Sequence, residues 1–134
     1  MESKPVTVGL MLANQVIVDR TTLNPSMVGT FTGLGVEEFP CTPQRFSVWS
    51  ALTHGTGNGR IELRVFSLRT IRQIYVQRGT IHFPDLTDVV YASFRVRSIR
   101  FPQPGYYLFR LFIDDSLIPQ AMCRLRVYRS EVTE

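Results

Sequence analysis

Residues Phe101–Val127 read FPQPGYYLFRLFIDDSLIPQAMCRLRV, and the fold is decided by how this stretch is read. Side chains on a strand alternate between faces with a period of two. Tyr107, Phe109, Leu111 and Ile113 therefore share one face, and Tyr106, Leu108, Arg110 and Phe112 share the other. Only the second set carries a charge, so the first faces a core. Asp114-Asp115-Ser116 is turn chemistry, with short polar side chains that bond their own backbone and tolerate tight dihedrals. The chain then returns with Ala121, Cys123, Leu125 and Val127 inward and Met122, Arg124, Arg126 and Tyr128 outward. Pro119 cannot donate to a ladder and belongs at a strand start or an edge.

Upstream segments supply partners for this hairpin. Pro104-Gly105 ahead of Tyr106-Tyr107 resembles the corner before a late strand of immunoglobulin-like sandwiches, where a tyrosine hydroxyl bonds backbone upstream. Tyr107 carries the inward register and is expected to make that bond. Val6, Val8, Leu10, Leu12, Val16 and Val18 predict a long strand, with a bend or bulge at Asn14, the one polar residue of its inward series. Met27–Val36 predicts a second strand of ambiguous face. Phe46, Val48, Ser50 and Leu52 mark the inner side of a third, with Trp49 opposite. The HGTGNG loop (His54–Gly59) reads as a hairpin turn to a fourth strand, where Ile61, Leu63 and Val65 alternate with Arg60, Glu62 and Arg64. Ile71–Val76 predicts an edge strand and Thr80–Asp88 irregular chain. Val90, Ala92, Phe94 and Val96 mark the strand before the hairpin. The absence of any helix-length 3.6-residue pattern points to one all-β domain over residues 1–134. Its expected architecture is a two-sheet antiparallel immunoglobulin-like β-sandwich of seven to eight strands.

Composition narrows the function classes. Apolar residues make up 44% of the chain, so it is globular, and no run approaches the roughly 18 apolar residues of a membrane span. The N-terminus lacks the pattern of a signal peptide, so a cytoplasmic location is expected. Fourteen Arg and one Lys against eleven acids give a net charge of +4, which permits an anionic partner without demanding one. Cys41 and Cys123 are expected to be free thiols.

LMLANQVIVD (Leu10–Asp19), MVGTFTGLGVEEFP (Met27–Pro40) and FPQPGYYLFRLFIDD (Phe101–Asp115) together resemble a family of small, functionally uncharacterised bacterial β-sandwich proteins. The resemblance spans nearly the whole chain and rests on structural motifs: Asn14, Phe39-Pro40 and the Pro104–Tyr107 corner. It implies an immunoglobulin-like sandwich and a bacterial origin, and it brings no catalytic residues with it.

The residues themselves argue against an enzyme, a metal site and a bound cofactor. His54 and His82 lie far apart, each without a neighbour at metal-ligand spacing. Neither cysteine has a His, an Arg or a helix start beside it that would clearly make a reactive thiolate; Arg124 next to Cys123 is on the outward side of the strand. GTGNG lacks the Lys-Ser/Thr and the helix of a phosphate loop. Asp114-Asp115 is two acids without a third for calcium.

One feature suggests binding. If the third strand lies beside the hairpin, Trp49 joins Leu108, Arg110, Phe112, Met122, Arg124, Arg126 and Tyr128 on one outer face. Trp, Tyr and Arg dominate interface hot spots. The competing account is that another segment covers this face, or that arginine stems lie across it and keep it wet. The expectation is a non-catalytic module that contacts a protein partner, either by self-association or by docking in a larger bacterial assembly. The alternative is nucleic-acid or other polyanion binding through the outward arginines. Arg95 and Arg97, expected on the other sheet, would split the positive charge and count against phosphate tracking.

Overall fold

β-Branched and aromatic residues at alternate positions, punctuated by Gly, Pro, Asn and Asp, form nine strands in the computed structural model, which describes residues 5–130. They are β1 (Val6–Val18), β2 (Pro25–Thr30), β3 (Gly33–Val36), β4 (Phe46–Thr53), β5 (Gly57–Ser67), β6 (Gln73–Phe83), β7 (Val90–Val96), β8 (Gly105–Ile113) and β9 (Ser116–Arg129). One sheet has the order β2-β1-β4-β7 and the other β3-β9-β8-β5-β6. The two-sheet sandwich is as expected, with nine strands among the described residues rather than seven to eight. The pairing is antiparallel except for β3, which runs parallel to β9.

The hairpin has the anticipated register. Tyr107, Phe109, Leu111 and Ile113 are buried, as are Ala121, Leu125 and Val127, while Cys123 is half-buried against the core. Asp114 and Asp115 both adopt positive φ (48° and 67°), forming the two-residue turn whose twist suits a hairpin. Tyr107 is 1% exposed and its hydroxyl donates to the Gln103 carbonyl, closing the corner. Its ring meets Phe101 edge-on at 4.7 Å. Phe109 reaches across the sandwich to Phe46 of β4, centroids 6.1 Å apart, so one strand ties both layers together.

Four expectations are corrected. The strand expected over Met27–Val36 is two strands in different sheets, and the chain crosses between them at Phe31-Thr32. Phe31 packs edge-on against Phe46 at the crossing (5.6 Å), which explains why no single parity fitted the segment. The bulge in β1 falls at Val8-Gly9 rather than at Asn14. Thr7 pairs with Leu52 and Leu10 with Ser50, so Val8 is pushed outward (82% exposed), while the Thr7 hydroxyl bonds Ser50 Oγ at 2.6 Å. Asn14 is exposed, because beyond Ala13 only β2 lies beside β1. Residues 14–18 and 25–28 form a two-stranded arm. Third, β6 continues to Phe83 because β5 offers a partner as far as Gly57, and Ile81 and Phe83 enter the core.

The fourth correction moves Trp49. The segment after His54 is not a hairpin turn; it carries the chain from β4 in one sheet to β5 in the other. His54 (φ 66°) and Gly57 (φ 70°) supply left-handed backbone there, and the Phe83 ring lies where a Cβ on Gly55 would stand. The hairpin's neighbour is therefore β5, and Trp49 belongs to the opposite sheet.

Replacing Tyr107 by Phe leaves the Gln103 carbonyl without its partner and is expected to lower stability by about 1 kcal/mol, read as a shift in the urea midpoint. Both cysteines are free, and burial pushes the Cys123 thiol up to about 12. Near neutral pH Cys123 should resist iodoacetamide until the chain is unfolded, and the intact mass should correspond to two thiols.

Candidate functional site: the outer face of the five-stranded sheet

The inward register of β8 and β9 forces their alternate residues onto the opposite side of the sheet. Cross-strand pairing sets Tyr106 beside Arg126, Leu108 beside Arg124 and Arg110 beside Met122. From β5, Phe66 lies beside Leu108, Arg64 beside Arg110 and Glu62 beside Phe112. Seven of the eight residues proposed from sequence are thus brought together: Leu108, Arg110, Phe112, Met122, Arg124, Arg126 and Tyr128. Trp49 is not among them. It lies outward on β4 against Tyr91 (centroids 5.4 Å apart), with its indole Nε1 buried and unpaired among the described residues.

Tyr106 was read as outward but left out of the candidate set, and Phe66, Arg64 and Glu62 were not foreseen as members of this face. The alternation Arg60, Glu62, Arg64 was legible; that β5 neighbours the hairpin was not.

Arginine and aromatic groups interleave across the face. The Arg64 guanidinium lies over Phe112 at 3.9 Å, Arg126 over Tyr128 at 4.9 Å, Arg124 over Tyr106 at 5.0 Å and Arg110 near Phe66 at 6.0 Å. Each such contact contributes about 0.5–1 kcal/mol when exposed and more when dry. The rings are partly capped by these cations, so the expected open apolar patch is instead a mosaic. Met122 (40% exposed) and Tyr128 (38%) remain its most open apolar members among those proposed from sequence. Gly33 and Gly35 on β3 lie against the Tyr128 ring, which a side chain at Gly35 would crowd.

Arg64 and Arg110 are directly opposite each other, and like charges so placed repel. Glu62 offsets this. Its carboxylate accepts from Arg64 Nε (3.0 Å) and from Arg78 Nε (2.8 Å), and Arg64 also reaches Asp115 at 3.1 Å. The Arg64 hydrogen bond, partly opposed by burial, holds the Glu62 carboxyl below the usual range. Among the described residues no ion pair engages Arg110, Arg124 or Arg126. Arg110 Nε is buried without a hydrogen-bond partner among the described residues.

His54 lies at the crossover, with its N–H bonded to Leu86, while His82 Nδ1 faces Asn58 on β5. Among the described residues no three His, Cys, Asp or Glu converge as a metal site.

Residues 9–127 match the model of a family of unknown function (DUF6941). The chain belongs to that family. No curated protein matches it. Among solved structures it is similar to the sensor domain of the anti-sigma factor RsgI4 from Pseudobacteroides cellulosolvens, at 10% identity and a TM-score of 0.45. The alignment covers 98% of this chain and 95% of that one. At that identity and score the likeness carries no functional inference.

Glu62→Gln removes the charge that separates Arg64 from Arg110 and is expected to cost about 1 kcal/mol at neutral pH. Because the folded-state pKa is depressed, this contribution is full above the ordinary 4.5 and is lost as the pH falls through the folded value. The difference in urea midpoint between wild type and Glu62→Gln should therefore shrink on acidification.

Proposed function

We propose that this domain is a non-catalytic protein-contact module acting through the outer face of the five-stranded sheet. One observation carries the reading: four guanidiniums lie over or beside rings across one continuous face, and three of them lack an acidic partner among the described residues. Prior stacking cuts the rotamer entropy that an arginine loses on docking, and Arg and Tyr are hot-spot residues.

Charge selects the partner's chemistry. Arg60, Arg64, Arg78, Arg110, Arg124 and Arg126 lie on this side against Glu62, Asp114 and Asp115, which leaves 6 − 3 = +3. A second copy would set that surplus against itself, so the complementary surface is an acidic one with apolar side chains for Leu108, Met122 and Tyr128. Two thiols in a protein that holds them apart suit a reducing compartment, and the proposal locates the module in the cytosol.

Nucleic-acid binding is the second reading, favoured by the arginine–aromatic interleaving alone. Bases stack on open ring faces, and here arginines already occupy them. Arg95 belongs to the other sheet and Arg97 directly follows its strand β7, so no single basic track unites the charges.

A photo-crosslinking residue at position 112 or 122, expressed in the native host, should give the same discrete protein adduct. Arg124→Glu with Arg126→Glu should remove it, and a crosslinker at position 22 in the arm should give none. Binding of an oligothymidine that weakens steeply between about 50 and 200 mM salt, and disappears in the double variant, would overturn the reading.

A further inference from the structure

We infer that the end of the sandwich beside β3 is a second docking site, which takes an extended acidic peptide segment of a partner as an added strand. The site is a cleft of about 1220 Å³, larger than the roughly 300–1,000 Å³ of small-molecule pockets. Its floor is apolar, with Phe31, Leu34, Val36 and Phe46. Its rim carries Arg45, Arg95 and Arg97, and among the described residues no acidic side chain lines it.

Two independent features define the occupant. The first is charge. Phe46 pairs with Val96 and Ser47 with Arg95, so the same register sets Arg45 opposite Arg97, with Arg95 one step along on the same outward side. Like charges directly opposite are unfavourable, and among the described residues no ion pair relieves these three. Carboxylates would.

The second feature is a free backbone edge. Among the described residues β3 ends its sheet and pairs only with β9. Arg126 N–H donates to the Thr32 carbonyl (3.0 Å) and Ser130 N–H to the Val36 carbonyl (2.8 Å). Strand hydrogen-bonding groups alternate sides, so Gly33 and Gly35 turn theirs away from β9, and both line the cleft. An extended peptide can pair with such an edge through its main chain, while alternate side chains supply specificity. Every second residue of the added strand would meet the apolar floor, and acidic residues would reach the arginines. The site borders the arginine–aromatic face at Tyr128, but the cleft and its three arginines do not rest on that face's assignment.

The probe is a short peptide alternating Glu with Val, added to the isotope-labelled full chain. Amides of Gly33, Gly35 and the Arg45 region should shift, and those of residues 108–112 and 122–124 should not. Arg45→Glu with Arg97→Glu should weaken binding by at least about tenfold without changing the melting temperature. A peptide with Lys for Glu, or with backbone N-methylation at alternate residues, should fail to bind. The inference is overturned if the alternating peptide gives no shifts, if the charge reversals leave its affinity unchanged, or if N-methylation has no effect. It is also overturned if N-acetylglutamate alone reproduces the shifts, since that would make the cleft a simple anion site.

Discussion

β8 is hydrogen-bonded on both sides, to β5 and to β9, and its inward residues are the large side chains Tyr107, Phe109, Leu111 and Ile113. A slip of one residue would send all four to water and draw Arg110 into the core. Each large side chain kept from water contributes roughly 1.5–3 kcal/mol, so the slip costs an amount comparable to the whole stability of an ordinary domain. The register is thus fixed with little freedom. Leu63 opposite Leu111 and Val65 opposite Phe109 pass it to β5, and Phe109 against Phe46 passes it to the second sheet.

The outer face is a by-product of that constraint. Once β8 and β5 are locked, Arg64 and Arg110 must stand opposite each other whether or not they repel. Three local devices make the arrangement tolerable: Glu62 neutralises Arg64, Arg64 lies over Phe112, and Arg110 turns toward Phe66. The stacking also explains how a sheet can leave Phe112, Tyr106 and Tyr128 on an unpaired side. The guanidiniums take up part of each ring's surface while their charges stay hydrated. Antiparallel sheets commonly keep one face wet, and this one does so with aromatic residues under cations.

Period-two patterning made the inside and outside of nearly every strand legible, because the burial of one face leaves a local trace. It reported nothing about which sheet a strand joins. Trp49 shows the difference: its outward parity was read correctly, yet it lies on the opposite side of the sandwich, because the segment after His54 arches between layers. A hairpin and an arch share the same Gly-rich composition; the Phe83 ring packed over Gly55, distant in sequence, distinguishes them. The division of Met27–Val36 was hidden for a similar reason, since Phe31 is held at the crossing by Phe46 from another strand. In β1 an even-numbered valine looked inward, but a bulge at Gly9 (φ 137°) places Thr7 against Ser50 and frees Val8. Tyr107 was the most legible residue, because the corner motif and its parity both lie within a few residues.

The distribution of arginine follows from the same rules and bears on what the molecule can bind. Fourteen arginines are spread along the sequence without a run, which looks like a diffuse net charge. Folding gathers several on the outer face of one sheet and sets Arg45, Arg95 and Arg97 at the end of the other. The two sheets are separated by a core roughly 10 Å thick, comparable to the Debye length at physiological salt, so neither group adds much to the potential of the other. A phosphate backbone gains affinity by crossing many charges in succession, and each group here is short and flanked by apolar side chains. Such small mixed patches gain more from a carboxylate placed beside a hydrophobe, as on a protein surface, than from a continuous polyanion. On this ground the two proposed protein contacts fit the arrangement better than one nucleic-acid track.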